Sequence, residues 1–318
     1  MVLFVGELLA DMITEELFQE AENFVLKIGG SPGNIARYSA QLGVPSRMLS
    51  RVGNDPIGER ILKRLAESEV DVSYIQKDNI LGTTLVFVQK TPDSPDFFVI
   101  RGADQYLELA GDEIERVLEG VKVVHFSCWM LSRCNLFDLT KRIVKVASEK
   151  GISVSFDPNC RDKLFECGKV DSEKVMSILQ YATYSKPSLD DCVAIFKDET
   201  DMNSPIENAV KYYVERFHQL GVKYVVLTAG KLGAYASDGK ELVHIPPSAK
   251  RVVDATGAGD GFWAGMYYGL TKGYDFFKAC ELGSKVAGHI VGFVGADVPL
   301  NELGLSDKNY YEKGLEYD

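Results

Sequence analysis

The chain lacks the cysteine and histidine spacing of a metal site. Its six cysteines, at positions 128, 134, 160, 167, 192 and 280, form no Cys-x-x-Cys pair, and its four histidines are scattered. Structural zinc sites depend on closely spaced ligands of these types. We therefore expect no zinc site, and we expect free thiols in a reducing compartment rather than a disulfide framework.

Positive charge and long apolar runs are also scarce. The formal net charge of −11 disfavours nucleic acid or an anionic membrane as a partner, because both require a basic surface. No apolar run approaches the length that spans a bilayer, and the first residues lack the basic leader of a secretory signal. We expect a cytoplasmic protein that binds neither nucleic acid nor membrane.

What the chain does contain is an alternation of apolar strands and amphipathic helices. Runs that are apolar on both faces occupy Val2–Val5, Val121–Phe126, Ile152–Phe156 and Val222–Leu227, which is typical of strands buried in a parallel sheet. Helical periods lie between them, for example over residues 206–220. The pattern predicts an α/β sandwich with helices on both faces. Ligands of such sheets bind at the carboxyl ends of the strands.

Two stretches interrupt this alternation. Short extended segments occupy residues 12–28 and 83–104, and the second contains a turn-rich sequence at Thr91–Asp96 that predicts a hairpin. We interpret both as a small β lid inserted into a core of residues 1–300, with a pair of surface hairpins as the alternative. Residues 301–318 are polar and weakly patterned, so we expect a terminal tail.

A phosphate-binding pattern stands near the C-terminus. Gly257, Ala258 and Gly259 lie between Asp254 and Asp260, and an apolar helical sequence follows. Residues with little or no side chain allow backbone N–H groups to crowd onto an anion at the positive end of a helix. A carboxylate beside that anion makes sense as a general base, which takes a proton from the hydroxyl that attacks phosphorus. The pattern therefore predicts phosphoryl transfer, with Asp260 as the base.

A second glycine cluster occupies residues 29–34, and a helical sequence over residues 35–43 follows it. Gly29 and Gly30 allow the backbone to approach a ligand closely. Asn34 can present both a donor and an acceptor to a polyol, and Asp11, shortly after the first strand, is a further hydroxyl acceptor. Alone, this cluster is equally consistent with an ordinary turn.

Taken together, the two clusters resemble the two signatures of the ribokinase-like, or PfkB, family of carbohydrate kinases. The resemblance extends over nearly the whole chain and is strongest to fructokinases and 2-keto-3-deoxygluconate kinases. Intermediate segments match in order: they are Arg101–Asp104, Phe156–Arg161, Lys186–Asp191 and Thr228–Gly233. The family's fold is a three-layer α/β/α sandwich with a mostly parallel central sheet and a small β lid.

The resemblance implies a role for each matched position. Asp260 would be the base, the amides of Gly257, Ala258 and Gly259 the anion hole, and Arg161 the cation that neutralises the transferring phosphoryl group. The implied sugar contacts are Asp11, Gly29, Gly30, Asn34, Arg101 and Asp104, and the implied nucleotide contacts are Lys186, Thr228, Gly230 and Gly233. Four of these residues have simpler alternatives: Arg101 with Asp104 as a surface ion pair, Arg161 as a loop-closing residue and Lys186 as a strand-end lysine.

Two departures from the family pattern affect the metal and the sugar. Ser188 and Asp191 replace the Asn and Glu of the family's Asn-x-x-Glu motif. Asp191 would then hold magnesium through water, since that ion keeps most of its hydration shell. The spacing from Arg101 to Asp104 is shorter than in most fructokinases, which leaves the sugar open.

The sequence thus predicts an ATP-dependent sugar kinase that phosphorylates the primary hydroxyl of a ketose. Fructose is the first choice of substrate, and 2-keto-3-deoxygluconate is the next, because Arg101 and Arg161 could meet its carboxylate. A nucleoside kinase comes third, and a sugar- and ATP-binding regulator without catalysis is the alternative from another class. The implied cofactors are ATP and Mg²⁺, whereas a monovalent cation and a homodimer stay open.

Overall fold

The computed structural model describes residues 1–91, 96–197 and 205–300, together with Leu303 and Leu305. Residues 92–95, which form the middle of the predicted hairpin turn, lie outside the described part of the chain. The same holds for the predicted tail, apart from Leu303 and Leu305. Leu305 is buried, and its carbonyl accepts a hydrogen bond from the Tyr268 hydroxyl.

A mostly parallel sheet runs through the centre of the molecule. Its nine strands within the described ranges follow the spatial order β13-β12-β11-β10-β9-β8-β1-β4-β5. All neighbours pair in parallel except at one edge, where β12 is antiparallel to both β11 and β13. The strands are β1 (Val2–Val5), β4 (Ser46–Gly53), β5 (Asp71–Asp78), β8 (Val123–Ser127), β9 (Ser153–Asp157), β10 (Tyr184–Ser185), β11 (Tyr224–Thr228), β12 (Ala234–Ser237) and β13 (Leu242–Ile245).

Helices cover both faces of this sheet and create one hydrophobic core on each. Successive residues of β1 alternate between the cores: Leu3 and Val5 belong to one, Val2 and Phe4 to the other. The first core is closed by α3 (Gly111–Val117), α4 (Cys134–Glu149), α5 (Ser172–Leu179), α6 (Leu189–Phe196) and α7 (Ile206–Gln219). The second is closed by α1 (Ser31–Gln41), α2 (Pro56–Glu67), α8 (Ala258–Thr271) and α9 (Phe276–Ile290). The predicted three-layer sandwich is confirmed.

Small residues bring α8 and α9 close together in the second core. A Cβ added at Gly265 would lie 2.6 Å from the carbonyl oxygen of Leu282, and one added at Gly283 would lie 2.7 Å from that of Phe262. Such distances leave no room for a side chain, so glycine is required where the two backbones meet. The close contact fixes the direction of α8, whose first turn carries Asp260.

A separate four-stranded sheet stands where the sequence predicted a small β lid. Its order is β3-β2-β6-β7, with β2 (Leu9–Thr14) parallel to β6 (Thr84–Gln89). The outer strands β3 (Val25–Gly29) and β7 (Asp96–Ile100) are antiparallel to their neighbours. Strand β2 begins three residues before the predicted segment, because Leu9 pairs with Gly29. We call these four strands the lid sheet.

The cysteines differ in part from the expectation of free thiols. Cys128 and Cys160 form a disulfide, with their Cα atoms 5.5 Å apart, between the segments that follow β8 and β9. Their separation of 32 residues gave no sequence signal, because only the parallel pairing of these strands brings the two ends together. Cys134, Cys167, Cys192 and Cys280 are free thiols.

None of the helices described here is long and apolar enough to cross a membrane.

Candidate active site

The predicted base lies in the first turn of α8. Gly257 caps this helix with a left-handed backbone (φ 79°), and a Cβ there would lie 3.1 Å from the Tyr38 hydroxyl. Asp254 holds the preceding loop, since its carboxylate accepts the N–H groups of Thr256 and Gly295. N–H groups in the first turn of a helix have no carbonyl partner within it. This arrangement presents the positive end of α8 beside the Asp260 carboxylate.

Two side chains from the start of α1 hold that carboxylate. The Ser31 hydroxyl donates to Oδ1 of Asp260 at 2.6 Å, and the Asn34 amide donates to Oδ2 at 3.0 Å. Burial raises the pKa of Asp260 to about 6, although both hydrogen bonds act to lower it. Near neutral pH the carboxylate is therefore ionised and keeps a basicity suited to accepting a proton.

The second glycine cluster forms the turn between β3 and α1. Gly30 has a φ of 102°, and a Cβ there would lie 2.5 Å from the carbonyl oxygen of Glu7. A Cβ at Gly29 would collide with the carboxylate of Asp11, 2.2 Å away. These close approaches bring Asp11, on strand β2 of the lid sheet, to the same turn as Asn34. Burial raises the pKa of Asp11 to about 6.

A buried ion pair adjoins the start of α8. Nζ of Lys186 lies 3.3 Å from Oδ2 of Asp157, and the Trp263 indole N–H donates to the same oxygen at 2.8 Å. Burial raises the pKa of Asp157, and the Lys186 charge opposes this. A Cβ added at Gly259 would lie 3.3 Å from Nζ of Lys186. The lysine thus adds a positive charge at the predicted anion hole.

Arg161, in the loop after β9, lies beside Asp191, in the first turn of α6. The guanidinium of Arg161 is half exposed and sits 3.8 Å from the Asp191 carboxylate. Both oxygens of Asp191 are already hydrogen-bonded: Oδ1 accepts Cys160 N–H, and Oδ2 accepts the N–H and hydroxyl of Ser188. Asp191 therefore completes the capping box of α6, whose N-cap is Ser188, and a metal would reach it through water.

Arg101 and Asp104 form a buried pair between the lid sheet and the core. Their closest atoms are 2.7 Å apart, and their side chains are only 7% and 3% exposed. The Trp129 indole donates to Asp104 at 2.7 Å, and the Arg101 guanidinium stacks over the same ring at 4.4 Å. The alternative of a surface ion pair is therefore wrong, whereas contact with a sugar stays a prediction.

A cavity of about 380 Å³ opens beside the N-terminus of α8. Its lining includes three predicted nucleotide contacts, Thr228, Gly230 and Gly233, and two members of the predicted anion hole, Ala258 and Gly259. The remaining walls come mainly from α8, α9 and the loop after β13 and are largely apolar. An apolar slot that ends at a helix N-terminus suits a nucleotide, because the base packs on the walls and the phosphates meet the amides.

Sequence reasoning missed three residues of this arrangement. Ser31 contacts the base directly, Glu7 accepts the Ser31 N–H at 3.1 Å, and Asp157 pairs with Lys186. Asp157 had a usable signal, since it is a charged residue at the carboxyl end of a buried strand. Ser31 and Glu7 had none, because their positions depend on how the lid sheet, α1 and α8 meet.

The geometry defines a class of enzyme. A buried carboxylate beside a helix N-terminus, with a lysine and a nucleotide-sized cavity adjacent, is the arrangement of a phosphotransferase that acts on a hydroxyl group. Residues 1–303 match the profile of the pfkB family carbohydrate kinases. The chain belongs to this family, and it is an ATP-dependent phosphotransferase acting on a sugar hydroxyl.

Individual relatives share the fold over almost their whole length. The chain is 36% identical to an ATP-dependent 6-phosphofructokinase of Thermoanaerobacterium thermosaccharolyticum, over 99% of this chain and 95% of the relative. The Halothermothrix orenii fructokinase structure is 34% identical, with a TM-score of 0.75 over 90% of this chain and 96% of that one. A Vibrio cholerae fructokinase bound to fructose, ADP and calcium is 25% identical, with a TM-score of 0.77 over 94% and 95%.

Proposed function

We propose that the chain transfers the γ-phosphate of ATP to the primary hydroxyl of fructose, with Asp260 as general base. One observation carries this proposal: Asn34, a predicted sugar contact, donates to the predicted base at 3.0 Å. The acceptor segment and the phosphate segment therefore meet at a single carboxylate. We propose a cytoplasmic location as well, because ATP is the expected cosubstrate.

The acceptor side orients the sugar. Asp11, Asn34 and the backbone of Gly29 and Gly30 face the same turn, and their donors and acceptors match the hydroxyls of a polyol. The attacking hydroxyl would take the place next to Asp260 and lose its proton to that carboxylate as the new O–P bond forms, while the bond from the γ-phosphorus to the bridging oxygen breaks and ADP leaves. The carboxylate holds the proton until product leaves.

The phosphate side stabilises charge. The transferring group carries negative charge on its equatorial oxygens, so preorganised donors and cations lower the barrier. The amides of Gly257, Ala258 and Gly259 would contact these oxygens, with Lys186 beside Gly259. Arg161, half exposed in the loop after β9, would turn from its contacts with Asp191 and the Cys160 carbonyl to reach the phosphoryl group.

Magnesium fits this site in one particular way. Across the described ranges, no three side chains of His, Cys, Asp or Glu are grouped as a metal cage. The ion would therefore bind chiefly to the nucleotide phosphates and water, with Asp191 or Asp157 contacting that water, which is usual for Mg²⁺. When bound, it neutralises charge on the phosphate oxygens.

A second candidate substrate is fructose 6-phosphate. The observation that favours it is the 36% identity to an ATP-dependent 6-phosphofructokinase over nearly the whole chain. Basic residues follow β8 and β9 on the side of the lid sheet, where the far end of a ketose would lie: Arg133 is partly buried, and Lys163 contacts Asp96 of β7. A phosphate on that end would meet their charges.

A coupled assay of ADP release over a panel of acceptors tests the proposal. The panel contains fructose, fructose 6-phosphate, 2-keto-3-deoxygluconate, ribose, adenosine and a blank, each with and without Mg²⁺ and potassium. We expect the highest kcat/KM with fructose. A higher value with fructose 6-phosphate would replace the first candidate by the second, and turnover at the level of the blank with every acceptor would overturn both.

A further inference from the structure

Three groups form a hydrogen-bonded chain from strand β1 to the predicted base. Glu7 lies two residues after the end of β1, and its Oε1 accepts the backbone N–H of Ser31 at 3.1 Å. The hydroxyl of Ser31 then donates to Oδ1 of Asp260 at 2.6 Å. Both hydrogen bonds involve Ser31, the first residue of α1, so the hydrogen-bonded chain passes through the first turn of that helix.

Resting on the proposed role of Asp260 as base, we propose that Ser31 and Glu7 are positioning residues for that carboxylate. Ser31 fixes one oxygen, which leaves the other for Asn34 and the acceptor hydroxyl. Glu7 fixes Ser31, because a serine at the start of a helix has no carbonyl partner for its N–H within the helix. A carboxylate held on both sides keeps a single orientation toward the attacking oxygen.

The surroundings of Glu7 support a role that depends on an uncharged side chain. Only 5% of the residue is exposed, and Oε2 has no hydrogen-bond partner among the described residues. Burial raises the pKa of Glu7 to about 8, so the carboxyl is protonated near neutral pH. A neutral acid can accept the Ser31 N–H without adding negative charge close to Asp260.

The charged groups around Asp260 come from three elements. Lys186 and Asp157 face it from the ends of β10 and β9, and both affect its pKa. From α1, Arg37 and Tyr38 are affected in turn by the Asp260 charge. None of these is altered by a change at Ser31, so a shift in the titration of Asp260 in a Ser31 variant reports the lost hydrogen bond.

The pH dependence of kcat/KM in Ser31→Ala tests the proposal. Loss of a hydrogen-bond donor to the Asp260 carboxylate raises the pKa of Asp260. We therefore expect the acid limb of the kcat/KM profile, where activity falls at low pH, to move up by about one pH unit. Ser31→Thr keeps a hydroxyl and should return the limb toward the wild-type position. Ser39→Ala is the matched control, because Ser39 lies in the same helix, is fully buried, and its hydroxyl has no partner among the described residues.

A double-mutant cycle tests the part played by Glu7. We expect Glu7→Ala to move the acid limb of the kcat/KM profile in the same direction as Ser31→Ala does. The double variant should match Ser31→Ala, because both changes break the same series of hydrogen bonds to Asp260. Glu7→Gln keeps a neutral acceptor and should behave nearly as wild type. Independent, additive shifts would remove Glu7 from the proposal.

A measurement without turnover separates this proposal from the function it rests on. Carbon-13 NMR of labelled aspartate, assigned with Asp260→Asn, gives the pKa of Asp260 directly. An unchanged pKa in Ser31→Ala would overturn the positioning proposal whatever the activity. A raised pKa in a protein whose Asp260→Asn variant keeps full activity would confirm the hydrogen bond and reject Asp260 as the base.

Discussion

Asn34 donates its amide to the carboxylate of Asp260 across 226 residues of sequence. This bond joins the start of α1, beside the lid sheet, to the start of α8, beside the cavity lined by the predicted nucleotide contacts. Each of the two segments carries one half of the expected chemistry. The following predictions test how the carboxylate at their junction, and the groups around it, contribute to the reaction.

Replacement of Asp260 by asparagine should lower kcat by at least ~10²-fold, which is the scale of general-base removal. The side chain keeps its size, and the first turn of α8 is unchanged, so binding of sugar and ATP should survive. Steady-state kinetics and calorimetry measure the two effects. Asp112→Asn, at an exposed aspartate of α3, is the control and should behave as wild type. A near-normal kcat in Asp260→Asn would contradict its role.

The activity should depend on pH with an acid limb near 6. Burial raises the pKa of Asp260 to about 6, and the base must be ionised to accept a proton, so kcat/KM should fall about tenfold per pH unit below that value. Asp11 has a raised pKa of about 6 as well, and Asp11→Asn separates the two. A limb that disappears in this variant would assign the titration to Asp11 instead.

Replacement of Arg161 by alanine should reduce kcat more than sugar affinity. Charge on the phosphoryl oxygens spreads in the transition state, so a cation that contacts them acts on that state selectively. The comparison of kcat and KM with Arg116→Ala, at an exposed arginine of α3, removes general charge effects. If the loss appears wholly in KM for an acidic sugar, Arg161 recognises the substrate instead.

Replacement of Glu7 by glutamine should stabilise the fold more at pH 8 than at pH 5. The folded pKa of Glu7 is raised from 4.5 to about 8, so the folded state retains a proton that the unfolded state has released. Stability from this group is full below pH 4.5 and is lost as pH rises toward 8. Glutamine stays neutral and avoids the loss.

Urea unfolding at the two pH values measures the effect, and the difference in the free energy of unfolding should exceed ~1 kcal/mol. Glu173→Gln, at an exposed position of α5, provides the control and should show no comparable pH dependence. Equal stabilisation by Glu7→Gln at both pH values would show that Glu7 titrates normally.

The lid sheet should exchange its amide hydrogens faster than the central strands. Its outer strands carry exposed apolar residues, with Val25 at 59% and Ile100 at 53%, and few buried contacts give low local stability. Saturating sugar should slow this exchange, because closure adds contacts between sugar and lid. Hydrogen exchange with and without sugar decides the matter, with β8 as the internal reference. Equal protection in both states would identify a fixed sheet.

The sequence predicted the layers because burial on both faces leaves a direct trace. Val2–Val5 is apolar at every position, and each of its residues is buried in the central sheet. The short strand β10, by contrast, has only Tyr184 and Ser185, which is too few residues for a periodic signal. Apolar periodicity therefore gave no signal for β10, and only the alternative interpretation of Lys186 as a strand-end lysine pointed to a strand there.

The candidate site was predictable where its geometry requires an unusual residue type. Glycines that cannot accept a Cβ, as at Gly30, and an acid inside a glycine-rich helix start both leave a mark in the sequence. Ser31 and Glu7 leave none, because serine in the first turn of a helix and glutamate after a strand are common. Their significance arises only from a tertiary contact, and the same is true of the pairing of Cys128 with Cys160.

The contact between Ser31 and Asp260 spans 229 residues, and this has a consequence for synthesis of the chain. During translation, the strands that carry the predicted sugar contacts emerge first, and the proposed base emerges only near the end. A nascent or truncated chain that stops before α8 lacks Asp260, and its second core lacks α8 and α9, which close it together with α1 and α2. With Asp260 as the proposed base, we expect catalytic competence to be acquired late in synthesis, when α8 packs against α1.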